Sequence, residues 1–173
     1  MRKSCIPNIF TFINLSLGIL SILATFDKNF ILASTFIILA ALVDRYDGRI
    51  ARFLQVTSDL GKELDSLADL VSFGVAPSIL IFIQFNLRSF GPYGIVGLIL
   101  LLIFPISGAF RLARYNTSSF DGVFTGVPIT VVGSVVALFV LFTCNITLPN
   151  IVPCIIILVG SYLMVSNLKL KKM

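Results

Sequence analysis

The chain has 173 residues, of which 57% are hydrophobic and only 12% are charged, and its mean hydropathy is +1.04. A soluble domain of this length carries about 25% charged residues. The composition therefore excludes an ordinary soluble domain and predicts one integral membrane domain over residues 1–173, without histidine-based chemistry because histidine is absent.

Apolar stretches long enough to cross a membrane recur along the chain. A spanning helix needs about 20 predominantly apolar residues, and short polar breaks separate the candidates. The predicted helices cover residues 8–26, 30–50, 60–85, 93–110, 127–144 and 151–168. The predicted fold is an all-α bundle of six transmembrane helices.

The basic residues indicate the orientation of this bundle. An even number of spans puts both termini on one side, together with eleven of the 13 Lys and Arg residues: Arg2, Lys3, Arg45, Arg49, Arg52, Lys62, Arg111, Arg114, Lys169, Lys171 and Lys172. Because basic loops stay inside, we expect cytoplasmic termini in a multi-pass protein of the cell membrane. The basic excess faces anionic membrane lipids, so no nucleic-acid partner is predicted.

The acidic residues are concentrated in one short segment. Six of the eight lie between positions 44 and 69: Asp44, Asp47, Asp59, Glu63, Asp65 and Asp69. The apolar run 30–43 is about 21 Å long as a helix, which is shorter than the roughly 30 Å hydrocarbon core. The second helix must therefore continue through Asp44 and Asp47 before it leaves the membrane.

The spacing of four aspartates predicts a metal site. Asp44 and Asp47 are three residues apart and Asp65 and Asp69 are four apart, so each pair shares a helix face. In antiparallel helices Asp44 and Asp69 lie at a similar depth near the cytoplasmic boundary. Two divalent cations would balance four carboxylates, and oxygen ligands favour Mg²⁺ or Mn²⁺, with Ca²⁺ as a further candidate. The alternative is that these acids form interfacial salt bridges with neighbouring basic residues.

The acidic segment has a recognisable pattern, D-x2-D-G-x2-A-R-x8-G-x3-D-x3-D. It is formed by Asp44, Asp47, Gly48, Ala51, Arg52, Gly61, Asp65 and Asp69. This pattern resembles the signature of the CDP-alcohol phosphatidyltransferases. The first helix, with Pro7, Asn8, Thr11, Asn14 and Gly18, is also similar to that family, and six spans is the family's usual count.

Further segments resemble one branch of the family. Residues 64–77, 110–116, 126–129 and 161–166 are similar to the phosphatidylserine synthases, particularly the short form of Gram-positive bacteria. This resemblance implies a transferase of phospholipid biosynthesis that converts CDP-diacylglycerol and L-serine into phosphatidylserine and CMP. It also implies a homodimer and an active site that faces the cytoplasm.

The resemblance assigns roles to the residues. The metal ligands are Asp44, Asp47, Asp65 and Asp69, and Asp69 is also the catalytic general base. The expected CDP-lipid contacts are Asn8, Thr11, Asn14, Gly48, Ala51, Arg52 and Gly61. The expected serine-binding residues are Lys62, Ser66, Ser72, Arg111 and Arg114.

Two of these assignments have structural alternatives. Arg111 and Arg114 are three residues apart on one helix face, where one can bind a carboxylate through its guanidinium fork or both can anchor the helix end. Asn8 and Asn14 can instead form interhelical hydrogen bonds.

Two alternative functions follow from the same residues. The acceptor could be glycerol 3-phosphate or an inositol phosphate, which would need a more basic pocket. A divalent-cation transporter would spread its acids across the membrane depth, whereas here they cluster near the cytoplasmic side.

Overall fold

The structure is a computed structural model that describes residues 5–54, 59–117, 123–146, 148–167 and 169–171. Within these ranges the side chains of residues 5–7, 47–54, 59, 123–125 and 169–171 are left undescribed. The predicted side-chain contacts of Asp47, Gly48, Ala51 and Arg52 therefore lie outside the described part.

The described residues are almost entirely helical, which confirms the predicted all-α class. The helices are α1 (Cys5–Phe26), α2 (Phe30–Leu54), α3 (Asp59–Asp69), α4 (Ala76–Gln84), α5 (Ile95–Thr117), α6 (Ile129–Thr143) and α7 (Ile151–Val165). A π-helical segment, Leu70–Val75, joins α3 to α4, and two short 3₁₀ turns, Leu87–Ser89 and Pro92–Gly94, precede α5. Because α3, the π-helical segment and α4 follow one another without a break, the described residues form six helical segments, the number predicted.

Three of these helical segments have the length and the apolar composition needed to cross a membrane. They are Asn8–Phe26, Leu60–Gln84 and Pro92–Thr117, while Ile129–Thr143 and Ile151–Val165 are apolar but shorter. Many large apolar side chains point outward, among them Ile106 and Phe142, which are 62% and 74% exposed. An apolar exterior of this kind fits a protein surrounded by lipid.

Helix α5 is longer than the corresponding predicted helix, which covered residues 93–110. The polar residues after position 110 were expected to form a break, but α5 continues to Thr117. Residues 111–117 contain neither Gly nor Pro, so nothing in this segment interrupts the helical hydrogen bonds. The extension keeps Arg111 and Arg114 on a regular helix.

The third rod changes its helical geometry directly after Asp69. Pro77 lacks an N–H group and cannot donate to the carbonyl of Phe73, four residues earlier. The ladder widens there, and the N–H of Ala76 donates to the carbonyl of Val71, five residues earlier. The result is a π-helical segment, a feature often found at functional sites.

The core forms where small residues let the helices approach closely. α1 packs along α2 and also contacts α3 and α4, α2 packs on α6, and α5 packs on α7. Ala33 and Ala40 of α2 are fully buried, and Gly133 of α6 lies against the backbone of Phe73. Small residues at such contacts are typical of helix packing in membranes.

A two-stranded sheet was not predicted. Strands β1 (Val123–Thr125) and β2 (Lys169–Lys171) pair antiparallel and join the α5–α6 connection to the segment after α7. Next to β1, the N–H of Val127 donates to the carbonyl of Leu163 at 3.1 Å. Gly126 has a φ of +80°, a conformation that glycine adopts without steric cost.

Candidate active site

Three aspartates meet at the junction of two helices. Asp44 comes from α2, and Asp65 and Asp69 come from α3. One carboxylate oxygen from each lies within 4.8 Å of the others, and Asp69 is buried while the other two are half-buried. The structure thus brings together three of the four predicted metal ligands, and the side chain of the fourth, Asp47, lies outside the described part.

Electrostatics favours a compensating positive charge at this cluster. Two unit charges 4.8 Å apart repel each other by about 3.5 kcal/mol at an effective dielectric constant of about 20. Removing three ionised carboxylates from water adds to that cost. An all-oxygen donor set at this spacing fits a hard divalent cation. The residues present therefore fit the predicted metal.

A cavity of about 480 Å³ opens beside the carboxylates. This volume is typical of a small-molecule site. Its walls come from α2, α3, α5 and the start of α6. The lining residues are Asp44, Lys62, Asp65, Ser66, Asp69, Arg111, Leu112, Tyr115, Asn116, Pro128 and Thr130.

Arg111 brings a buried positive charge to this cavity. It lies on α5 and is only 8% exposed, opposite the acidic cluster. Its Nε is buried and has no hydrogen-bond partner among the described residues. An unpaired guanidinium N–H is costly to bury, so Arg111 is suited to binding an anionic group that enters the cavity.

Arg114 has a different environment, although it lies one turn further along the same helix. Its Nη1 donates to the carbonyl of Val165 at 3.2 Å, and its Nη2 to the carbonyl of Ser166 at 3.4 Å. These carbonyls lie at the C-terminal end of α7, where a helix leaves acceptors unsatisfied. Arg114 does not line the cavity, and its contacts tie α5 to α7.

A polar network on the α3–α5 side includes two of the predicted serine-binding residues. The amide of Asn116 donates to Ser66 Oγ at 3.0 Å and to Glu63 Oε1 at 3.2 Å. Lys62 Nζ lies 3.5 Å from the carbonyl of Asn116 and 5.6 Å from the centre of the Tyr115 ring. Lys62 and Ser66 therefore lie at the cavity wall, and their contact with serine stays a prediction.

Ser72 is placed away from the cavity. It is fully buried in the π-helical segment, and its hydroxyl donates to the carbonyl of Asn14 at 2.9 Å. Asn14 is also buried, and its amide Nδ2 donates to Asp69 Oδ1 at 3.1 Å. For Asn14 the structure thus shows the interhelical hydrogen bond that the sequence offered as an alternative.

The other described residues predicted to contact the CDP-lipid lie outside this cavity. Thr11 is buried in α1, and Asn8 and Gly61 are half-buried. None of the three lines the described cavity. The side chains of Gly48, Ala51 and Arg52 lie outside the described part.

Sequence reasoning missed five cavity residues, which are Leu112, Tyr115, Asn116, Pro128 and Thr130. Four of them fall within segments 110–116 and 126–129, which were singled out for their resemblance, but none of the four was assigned a role. A polar pair directly after an arginine at the end of a membrane helix was the available signal for Tyr115 and Asn116. Thr130 carried no such signal.

The fold and the site thus combine helices suited to a membrane with a carboxylate cluster that could hold a metal ion. The model of the CDP-alcohol phosphatidyltransferase family matches residues 4–167. The chain belongs to this family.

Curated relatives carry one common name. A Helicobacter pylori protein named CDP-diacylglycerol–serine O-phosphatidyltransferase is 38% identical over 138 residues, which cover 78% of this chain and 56% of that protein. Proteins of the same name from Bacillus subtilis and Methanocaldococcus jannaschii are 37% and 33% identical over 95% and 94% of this chain, covering 88% and 71% of their own lengths. The chain spans little more than half the length of the Helicobacter pylori relative.

Proposed function

We propose that this chain transfers the phosphatidyl group of CDP-diacylglycerol to L-serine, giving phosphatidylserine and CMP. Family membership supports the reaction class, and the relatives' common name supports the two substrates. The observation that carries the proposal is the cavity in which Arg111 faces Asp44, Asp65 and Asp69. One wall suits the carboxylate of an amino acid, and the other suits cations with a bound pyrophosphate.

In the proposed reaction the serine hydroxyl oxygen forms a bond to the phosphorus that carries diacylglycerol. The bond from that phosphorus to the bridging oxygen breaks, and CMP leaves with the electron pair. Asp69 accepts the hydroxyl proton, since it is the buried carboxylate of the cavity and histidine is absent. A positioned base of this kind contributes about 10²–10⁴-fold to a rate.

Asp44, Asp47, Asp65 and Asp69 would hold two divalent cations, Mg²⁺ or Mn²⁺, with Ca²⁺ as a further candidate. When bound, such cations neutralise the pyrophosphate and stabilise the departing phosphate. The three described carboxylates lie close enough together to serve as shared ligands.

The nucleotide part of the substrate has proposed contacts on α1, α2 and α3. Gly48, Ala51 and Gly61 provide close approach for the cytidine, and Arg52 binds phosphate, with Asn8 and Thr11 at the border. These assignments rest on the matching family pattern.

The lipid part of the substrate has a candidate path between α2 and α6. A second cavity, of about 500 Å³, shares Asp44 and Thr130 with the first. Its outer wall includes Val131 and Val135, which are 51% and 53% exposed. We propose that the acyl chains reach the carboxylates along this apolar groove, directly from the membrane.

The proposed setting is the cell membrane. We propose one multi-pass catalytic domain with six spans, cytoplasmic termini and a cytoplasmic active site, because the basic residues cluster on that side. A homodimer is proposed on the family resemblance, and membrane lipids are the expected surroundings.

An acceptor screen tests the proposed function. Purified protein with CDP-diacylglycerol and Mg²⁺ or Mn²⁺ is expected to release CMP only when L-serine is supplied. Phosphatidylserine should form in equal molar amount, measured by mass spectrometry. Glycerol 3-phosphate and an inositol phosphate are the matched competitors, and equal CMP release with either one would overturn the serine assignment.

The two arginines of α5 should behave differently when each is replaced. Arg111→Ala is expected to raise the KM for serine by about 30-fold or more, since truncating one partner of a buried charge pair costs about 2 kcal/mol or more. Arg114→Ala should leave the KM for serine within about threefold but lower the melting temperature, because it loses its bonds to the end of α7.

Steady-state kinetics with varied serine and with varied CDP-diacylglycerol separates these effects. The KM for CDP-diacylglycerol serves as the internal reference in both variants. Equal changes in the KM for serine from the two substitutions would remove Arg111 from the serine site.

A further inference from the structure

The contact between α1 and Asp69 involves a buried amide. Asn14 is 1% exposed and Asp69 is 8% exposed, and Asn14 Nδ2 donates to Asp69 Oδ1 at 3.1 Å. The two residues are far apart in sequence and belong to different helices. Asn14 therefore connects α1 directly to the carboxylate cluster.

The orientation of this amide follows from the chemistry of its partner. An ionised carboxylate only accepts hydrogen bonds, so the nitrogen of Asn14 must face Asp69. The other amide atom, Oδ1, is buried and has no partner among the described residues. A buried polar atom without a partner costs about 1–3 kcal/mol, and an apolar side chain of similar size would avoid that cost. Helix packing alone does not account for asparagine at this position.

The backbone of α1 is held against the segment that follows Asp69. Ser72 Oγ donates to the carbonyl of Asn14 at 2.9 Å. Gly18, one turn further along α1, makes room for Ser72, because a Cβ at position 18 would collide with the Ser72 side chain and backbone. These contacts fix the distance from which the Asn14 amide reaches Asp69.

We propose that Asn14 is a positioning residue that orients the Asp69 carboxylate toward the cavity. A carboxylate offers about four acceptor positions, and Asn14 occupies one of them on Oδ1. The carboxylate cannot rotate freely while this bond is made, and its remaining acceptor positions serve the cation and the serine hydroxyl. The inference rests on the proposed role of Asp69 and extends it to a residue of α1.

Two substitutions test this role, with a matched control. Asn14→Leu removes the donor and keeps the number and branching of the side-chain heavy atoms, and Asn14→Ala removes the donor and leaves space. Ser21→Ala is the control, because Ser21 is also fully buried in α1 and its hydroxyl donates to the carbonyl of Ala33 at 2.9 Å. It breaks an interhelical bond away from the carboxylates.

Mn²⁺ affinity is measured by electron paramagnetic resonance on purified protein without substrates, followed by kcat, both KM values and the melting temperature. Losing a residue that orients a metal ligand typically costs about 10–100-fold in affinity or activity. We expect both Asn14 variants to lose about 10-fold or more in Mn²⁺ affinity and in kcat. Asn14→Leu should keep or raise the melting temperature, and Ser21→Ala should stay within about twofold in affinity and kcat.

Two results would overturn the proposal. Mn²⁺ affinity and kcat in Asn14→Leu equal to those of Ser21→Ala would reduce Asn14 to a packing residue. A higher KM for CDP-diacylglycerol with unchanged Mn²⁺ affinity would place Asn14 at the nucleotide instead. Because Mn²⁺ binding is measured without substrates, the result is independent of whether serine is the acceptor.

Discussion

Asp69→Asn is expected to lower kcat by about 10³-fold or more while CDP-diacylglycerol binding stays measurable. The substitution removes the proposed base, whose contribution is about 10²–10⁴-fold, and weakens a metal ligand. Asparagine keeps an oxygen that can accept the amide of Asn14, so the contact between α1 and α3 is retained. Turnover is measured by CMP release, and binding by titration with a fluorescent CDP-lipid.

Glu63→Gln is the matched control for Asp69→Asn. Glu63 lies on the same helix and accepts a hydrogen bond from Asn116, and glutamine keeps an acceptor oxygen there. It removes one negative charge without touching the carboxylate cluster, so kcat should stay within about threefold. Near-normal turnover in Asp69→Asn would eliminate Asp69 as the base, whereas equal losses in both variants would indicate a general effect of charge.

The convergence of three aspartates could be predicted because local rules decide it. Spacings of three and four residues place side chains on one helix face. The 21 Å apolar run before Asp44 sets its depth near the membrane boundary. The same two rules place Asp65 and Asp69 on one face of the next helix, at a similar depth. In the structure one carboxylate oxygen from each of the three aspartates lies within 4.8 Å of the others.

The separation of Arg111 from Arg114 could not be predicted in the same way. Because the two arginines are three residues apart, the sequence placed both on one helix face. It allowed each of them the same two roles, which are binding a carboxylate and anchoring the helix end. Their environments differ because the end of α7, about fifty residues further along the chain, supplies acceptors to Arg114 alone. Which remote element covers one turn of a helix is a property of the packing, and no local pattern encodes it.

The position of Ser72 was missed for a different reason. A regular α-helix would place a residue three after Asp69 near the same face. In Leu70–Val75 the backbone hydrogen bonds reach five residues back, so the regular helical period does not hold there. Pro77 was the available signal, but proline alone does not distinguish a kink from a π-helical segment.

Removal of divalent cations is expected to abolish turnover and to lower the melting temperature of the protein. Ionised carboxylates within 4.8 Å repel one another unless cations lie between them, and unfolding would relieve that repulsion. By mass action, a ligand present at a hundred times its Kd stabilises the folded state by about 2.7 kcal/mol. For a chain of this length that corresponds to a rise of about 5–10 °C in melting temperature.

The measurement compares protein treated with EDTA and dialysed against protein resupplied with Mg²⁺, Mn²⁺ or Ca²⁺. Asp65→Asn is the matched control, because it removes one ligand of the cluster and should lose most of the thermal shift. The response of this variant separates binding at the carboxylates from cation effects on detergent or lipid, which would stabilise both proteins equally. Full turnover after thorough chelation would contradict the metal site, since the three carboxylates would then have to share the cavity with a pyrophosphate, and the described lining supplies only Arg111 and Lys62 as compensating charges.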